Sequence, residues 1–385
     1  MSAETVSLGC RLNFAESETL AALAPKNEEW VIVNSCAVTN EAVRQTRQAI
    51  RKAHRRRPDA RILVTGCAAE LDGPSFERMP EVARVVGNSA KLRAFGGMTS
   101  VAAGTHSRVR SFVAVQTGCD HRCTFCSIWQ ARGPSVSLAF EAIRDAISRE
   151  IDRGSKEIVL TGVDITDYRG GLGLLCQRLL AADPRLQRLR LSSLDSIEID
   201  GALFELIAGE KRLMPHFHLS LQAGDDMILK RMKRRHSRAI AVRAVERIKA
   251  ARADSTIGAD LIAGFPTETE EMSLNSLKLL DDCDIVAAHV FPFSARPGTP
   301  AARMPQLKQE VVKARAARLR GAAATRRSAW LDSLVGTLQP VLMESGGKGH
   351  SNGFAPVWMS DSKLGDSGLA RIGGRDGDHL VGAWA

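Results

Sequence analysis

Three cysteines stand in one short run, Cys119-Asp120-His121-Arg122-Cys123-Thr124-Phe125-Cys126. This C-x3-C-x2-C spacing supplies thiolates for three irons of a four-iron, four-sulfur cluster and leaves the fourth iron without a protein ligand. An open metal position is where a substrate binds and reacts. A structural zinc site is the plain alternative, but such sites take four ligands and usually pair two C-x2-C units. His121, the nearest candidate for a fourth ligand, lies inside the loop, a poor placement for a tetrahedral cage.

A second set of cysteines follows a repeated pattern. Short apolar runs end in Cys10 (Val6-Ser7-Leu8-Gly9-Cys10), Cys36 (Val31-Ile32-Val33-Asn34-Ser35-Cys36) and Cys67 (Ile62-Leu63-Val64-Thr65-Gly66-Cys67). Each run is bounded by turn residues, as a buried parallel strand is. Helical stretches at 14–24 and 40–56 follow the first two; Thr39 or Asn40 can cap the second, with Glu41 in its first turn. A fourth run, Val82 to Val86, ends at Gly87-Asn88. Alternating strands and helices predict an open parallel sheet, whose strands share one C-terminal edge where ligands bind. Each cysteine stands just past a strand end, so three thiols far apart in sequence should converge. Unrelated core cysteines are the alternative, and the repeated offset argues against it. Cys176 and Cys283 lie in or just after helical patterns and read as structural.

The elements around the Cys119 loop repeat as β and α. Strands are predicted at 112–117, 156–161, 187–193, 216–222, 256–262 and 285–292, and helices near 138–153, 172–182, 200–209, 226–250 and 268–281. Six such repeats close only part of a barrel, and barrel enzymes work at the C-terminal ends of their strands. The Cys119 loop directly follows the first strand. The stretch 307–332 is helical and basic. Glycine-rich turns then separate β runs at Leu338 to Met343, Phe354 to Met359, Leu369 to Ile372 and His379 to Ala383, which predict a small all-β module. The fold class is therefore α/β, with an N-terminal open parallel sheet (1–100), a partial (β/α)6 barrel (108–332) and a C-terminal β module (336–385).

The chain's 385 residues are 44% hydrophobic, enough for two or three domains. No apolar run approaches the length of a membrane span. The first residues, Met1-Ser2-Ala3-Glu4-Thr5, lack a signal peptide's basic and apolar regions, which points to the cytoplasm. Eight cysteines in a reducing compartment read as metal ligands or free thiols. A net charge of +10 favours a polyanionic partner, and the scarcity of aromatics argues against a surface built on base stacking.

Two cysteine triads, one on a small α/β sheet and one on a partial barrel, resemble the radical S-adenosylmethionine (SAM) methylthiotransferases over nearly the whole chain. The β module resembles a TRAM barrel. Gly9-Cys10-Arg11-Leu12-Asn13, Val38-Thr39-Asn40-Glu41-Ala42 and Arg190-Leu191-Ser192-Ser193-Leu194-Asp195 look most like the branch acting on N6-threonylcarbamoyladenosine, at position 37 of tRNA. The resemblance implies two [4Fe–4S] clusters: an auxiliary one on Cys10, Cys36 and Cys67 that carries or donates sulfur, and one on Cys119, Cys123 and Cys126 that cleaves SAM. One SAM would methylate sulfur, and another would give the radical that removes hydrogen from C2 of the adenine. An aromatic C–H is a poor acid, so the cofactor supplies this chemistry and the protein positions it.

By the same resemblance, Gly162 and Asp164, Ser192 and Ser193, Gln222, and Asp260 and Gly264 are candidate SAM contacts at successive strand ends. A loop-turn role is open for each, and Glu268, Glu270 and Glu271 read as a helix start. After Cys126, Ala131-Arg132-Gly133 keeps the family pattern, but the arginines expected further on are missing. The implied partners are tRNA, an external electron donor and a sulfur donor the residues do not name, with no membrane. RNA phosphates could meet the helix bearing Arg44, Arg47, Arg51, Lys52, Arg55, Arg56 and Arg57, the cluster Lys230, Arg231, Lys233, Arg234, Arg235 and Arg238, or the β module; a solvated face is the alternative for each charge run. Competing functions are methylthiolation of isopentenyladenosine in tRNA or of a ribosomal protein, and a non-catalytic iron–sulfur RNA-binding protein.

Overall fold

A computed structural model describes residues 3–95 and 108–385. The start of the chain and the expected end of the N-terminal unit at residue 100 lie outside the described residues. The N-terminal strands Glu4–Ser7, Trp30–Ser35, Arg61–Gly66 and Arg84–Val85 form a parallel sheet in sequence order. Trp30–Ser35 is buried throughout, which explains its continuous apolar run. The helix Asn40–Arg56 lays Ile50 and Ala53 on the sheet, and Thr39 caps it by accepting from the Ala42 N–H at 3.1 Å.

Six parallel strands form the partial barrel: Arg110–Ala114, Glu157–Thr161, Leu189–Leu191 continuing as Ser193–Leu194, His216–Gln222, Thr256–Ala263 and Ile285–Pro292. Alternation sorts their side chains. Val113, Ile158, Leu189, Phe217, Leu219 and Leu261 join the core under the helices. Arg110, Phe112, Glu157, Arg190, His218 and Asp260 take the opposite face, so the lumen is polar.

The first and last strands do not pair, which leaves a lateral gap. The N-terminal unit covers it. Its first helix, Arg11–Leu23, runs beside Arg110–Ala114, with the Phe14 and Phe112 rings edge-to-face at 5.5 Å. Across the gap, the Asn40 N–H donates to Ser294 Oγ at 3.2 Å, and Arg296 donates to the Asn40 side chain.

The C-terminal strands close into a five-stranded barrel. It docks at the N-terminal mouth of the large barrel. Phe354 stacks between His216 and His350, with ring centroids 5.2 and 4.4 Å away, and the Arg110 and Arg190 guanidiniums lie over its face. Thr256 Oγ1 donates to the Gly353 carbonyl at 2.8 Å, and Arg188 donates to Asn352 Oδ1 at 2.5 Å. Beneath this contact the buried Glu157 carboxylate accepts from Arg110 and Arg190 and pairs with Arg188, and together they hold it far below the usual carboxylate range against the cost of burial.

The structure corrects several expected elements. The first strand stops at Ser7, and the following helix begins at Arg11. The helix expected over 226–250 is two, Asp226–Arg231 and Arg238–Ala251, each with its own cap (Asp225, Ser237). Between them Lys233 adopts a positive φ of 61° and the chain turns inward. This break also divides the basic cluster: Arg234 is paired with Asp195, Arg235 with Glu198 and Arg238 with Asp282, and Arg231 donates to the Thr267 carbonyl, so these four serve the scaffold, while Lys230 and Lys233 are exposed. On the helix Asn40–Arg56, Arg51, Lys52 and Arg55 are exposed. The final β module has a fifth strand, Lys348–Ser351, hidden in the sequence by its Gly349.

Because Phe354 fastens the C-terminal barrel to the mouth of the large one, Phe354→Ala should destabilise the protein by about 2 kcal/mol, less than a fully buried phenylalanine would cost. Thermal or denaturant unfolding checks this; an unchanged profile would show that the stack does not hold the two barrels together.

Candidate active site

The turns after the first three strands carry the first triad. Gly9 has φ +90°, and a Cβ there would lie 2.6 Å from Cys36 Sγ, so only glycine lets the Cys10 and Cys36 turns approach this closely. Asn13 Nδ2 donates to the Leu8 and Ser35 carbonyls at 2.8 and 3.0 Å and braces both turns. Ser35 Oγ donates to the Thr65 carbonyl at 2.5 Å and accepts from the Ala69 N–H at 3.0 Å, which ties the Cys36 turn to the helix Cys67–Leu71. The expected convergence of Cys10, Cys36 and Cys67 is therefore present. Cys10 is exposed although protein surrounds it on most sides, the condition of a group lining a cleft.

The second triad follows the first barrel strand. Gly118 has φ +75°, and a Cβ there would fall 1.8 Å from the Pro134 carbonyl oxygen, where the chain returns after Cys126. Gln116 is fully buried: its Nε2 donates to the Gly118 carbonyl, and its Oε1 accepts from the Val163 and Asp164 N–H groups at 3.0 and 2.9 Å. Thr124 donates through Oγ1 to the Arg231 carbonyl at 2.7 Å. His121 pairs with Asp164 at 2.8 Å and lies 3.7 Å from Glu198; these bonds push it up to about 10. The loop is thus pinned to the ends of the second, third and fourth strands.

The two triads face each other. The helix Ile128–Arg132, just after Cys126, packs against Cys67–Leu71, with Ala131 in the same cluster as Cys67, Ala68 and Ala69. Asn88 Nδ2 donates to the Ala131 carbonyl at 2.7 Å and approaches Cys67 Sγ at 3.7 Å. One buried ion network joins the segments. Arg132 donates to both Glu16 oxygens at 2.9 Å and to Asn13 Oδ1 at 2.6 Å, and Lys91 donates to the same carboxylate. Burial alone would raise Glu16, but Lys91 and Arg132 overcome it and hold the carboxyl down at about 2.

The donor chemistry suits two iron–sulfur clusters. Each triad presents three sulfurs, and the remaining cysteines, Cys176 and Cys283, are buried in the barrel core, so neither triad gains a fourth thiol. Backbone N–H groups point at sulfur: Val38 to Cys36 Sγ at 3.5 Å and Ile128 to Cys126 Sγ at 3.3 Å. Arg234 Nη1 approaches Cys123 Sγ at 3.7 Å. Burial pushes the thiols up, Cys36 and Cys126 to about 11 and Cys119 to about 12, so the free thiols hold their protons until a metal displaces them.

The candidate SAM contacts divide. Ser193 Oγ lies 3.1 Å from Ser220 Oγ on the lumen face. Asp260 bonds His218 at 2.9 Å and His289 at 3.1 Å. Asp164 holds His121. Ser192 is buried at the break in the third strand, and Gln222 sits at a bulge with φ +68°. Packing explains two glycines: a Cβ on Gly162 would meet Gln116, and one on Gly264 (φ +75°) would meet Val312. Glu268 pairs with Arg315, and the following helix begins at Glu270 with Thr269 as its cap. Sequence reading passed over Glu16 and Lys91. Glu16 lies on a helix, Arg11–Leu23, that also buries Asn13, Ser17, Glu18 and Thr19, and Lys91 opens the short turn Lys91–Arg93.

Family profiles match two parts of the chain: the Radical SAM superfamily over residues 113–280 and Uncharacterized protein family UPF0004 over residues 3–87. A threonylcarbamoyladenosine tRNA methylthiotransferase MtaB of Rickettsia prowazekii is 42% identical, covering 92% of this chain and 90% of its own. A tRNA-2-methylthio-N(6)-dimethylallyladenosine synthase of Erythrobacter litoralis is 32% identical over 94% of this chain and 92% of its own. The chain belongs to the radical SAM methylthiotransferase family. Its cofactors are two [4Fe–4S] clusters and SAM. Among solved structures, the radical SAM methyltransferase TsrM of Kitasatospora setae aligns with a TM-score of 0.56 at 14% identity, covering 75% of this chain and 68% of its own, a likeness of fold. Among the described residues no helix is long and apolar enough to cross a membrane.

Two outcomes follow for a methylthiotransferase whose triads share one ion network. Arg132→Met leaves the Glu16 carboxylate to Lys91 alone and strips Glu16 and Asn13 Oδ1 of their bonds to the guanidinium where water cannot replace them; it should cost about 1–3 kcal/mol and lower the iron bound at the first triad. Iron analysis with thermal melting checks both, and a variant with wild-type stability and iron would remove the network from the account. The Glu16 carboxyl is depressed in the folded protein, so its stabilisation is complete above its ordinary value and drains as pH falls toward 2. Melting of the metal-free protein should therefore show an acid limb that Glu16→Gln flattens; parallel limbs would contradict this.

Proposed function

We propose that this protein replaces the C2 hydrogen of N6-threonylcarbamoyladenosine in tRNA with a methylthio group. The observation that carries the reading is the juxtaposition of two three-cysteine sets at one lateral opening, in a chain 42% identical over most of its length to a relative named for that activity. In this reading Cys10, Cys36 and Cys67 hold the auxiliary cluster, and Cys119, Cys123 and Cys126 hold the other. The units span 1–100, 108–332 and 336–385. An external one-electron donor completes the system.

When bound, the clusters and SAM supply the electron, the carbon radical and the sulfur. The protein's own residues do the rest. The polar strand ends around Asp164, Ser192, Ser193, Gln222 and Asp260, with Gly162 and Gly264 at the same edge, take SAM beside the Cys119 loop. Arg11–Leu23 along the side and Phe354 with its neighbours at the mouth keep water from the lumen, which protects a reactive carbon radical from quenching. The exposed cations Arg51, Lys52 and Arg55 offer phosphate contacts to the tRNA.

The triads should separate by function. Replacing Cys10, Cys36 and Cys67 together with alanine should lower iron from about eight to about four per chain while SAM is still cleaved to 5′-deoxyadenosine; no methylthio product should form. Replacing Cys119, Cys123 and Cys126 should abolish SAM cleavage. Loss of cleavage in the first variant would contradict the assignment. Mass spectrometry of tRNA nucleosides from a deletion strain tests the substrate: the methylthio form of threonylcarbamoyladenosine should vanish, and its persistence would overturn the reading.

A further inference from the structure

Arg11 follows Cys10 directly and opens the helix that covers the lateral gap. Its guanidinium carbon stands 6.0 Å from the centre of the Phe112 ring, which lines the lumen. The helix start therefore sends a cation through the gap into the barrel, beside the first triad.

The charged groups around Arg11 are Arg110, Arg190, Glu157 and Asp260. Both acids are already engaged, Glu157 by Arg110, Arg188 and Arg190, and Asp260 by His218 and His289. Arg11 itself makes no hydrogen bond or ion pair among the described residues. The other lumen arginines have carboxylate partners, and Arg11 is left half-buried without one. An unpaired guanidinium held half out of water beside two other arginines is costly to keep, and its planar fork matches a carboxylate.

We propose that Arg11 is the substrate-reading residue of the lumen and binds the carboxylate of the threonylcarbamoyl group. This rests on the substrate reading given above. The geometry of the base supports it. In adenine, C2 and the carbon bearing N6 are separated only by N1, so a substituent on N6 extends from near the edge that receives sulfur. A cation next to a sulfur-side cysteine is well placed for an anionic substituent, whereas a dimethylallyl group offers it nothing.

The test uses the reconstituted holoenzyme and anticodon stem-loop RNAs in which the target adenosine carries threonylcarbamoyl as the free acid, the same group as its methyl ester, or dimethylallyl. Wild-type kcat/KM for the acid should exceed that for the ester by roughly tenfold or more, as a charge-assisted hydrogen bond implies. R11Q should lose that preference while retaining iron, and R11K should recover part of it. If R11Q loses iron, R11M, which keeps the apolar stem without the cation, takes its place in the comparison. Equal use of acid and ester by the wild type, or an unchanged preference in R11Q with full iron, overturns the Arg11 assignment and leaves the substrate reading standing. Reaction with the dimethylallyl RNA alone overturns both.

Discussion

The Glu16 carboxylate joins the three segments that carry the cysteine triads. It is buried, and it is shared by Arg132 and Lys91. Glu16 lies on the helix that begins after Cys10, Arg132 on the helix that follows Cys126, and Lys91 beyond the strand that follows Cys67. One ionised group thus ties together three segments, each with a cysteine at its other end. Such a network is a weak source of net stability, because desolvation offsets most of the attraction. Its value lies in geometry: a displaced partner leaves buried polar groups without their hydrogen bonds, so the two triads have one low-energy arrangement.

The partial barrel creates the need for that arrangement. The six strands do not close, and the open edge would admit water to a lumen lined with Arg110, Glu157, Arg190, His218 and Asp260. The N-terminal unit spans the gap from Phe112 to Ser294, and the C-terminal barrel fills the lower mouth with Phe354. The Cys119 loop stands at the remaining end, pinned through Gln116, Thr124 and His121. What closes the side also delivers the first triad, so sealing the lumen and placing Cys10, Cys36 and Cys67 beside it are one structural event.

Much of this was legible in the sequence where local rules act. Cys10, Cys36 and Cys67 could be placed on one edge because strands of a parallel sheet share a direction, and the sheet is as expected. The Cys119 spacing carried its own chemistry. Long-range pairing was not legible. Arg234 read as part of a basic surface because nothing local reveals that the chain turns inward at Lys233 and meets Asp195. Glu16 and Lys91 are far apart in sequence and look like ordinary surface charges until the fold buries both. The strand Lys348–Ser351 was hidden because Gly349 is required by the Leu342 carbonyl beside it, and glycine signals a turn by default.

Two iron–sulfur clusters held by the two triads would place iron at both sides of the covered gap. Anomalous diffraction at the iron edge from crystals of the reconstituted protein tests it most directly. Two iron sites should appear, one within bonding distance of Cys10, Cys36 and Cys67 and one at Cys119, Cys123 and Cys126. A single iron site, or a zinc signal at either triad in protein purified without oxygen, would contradict it.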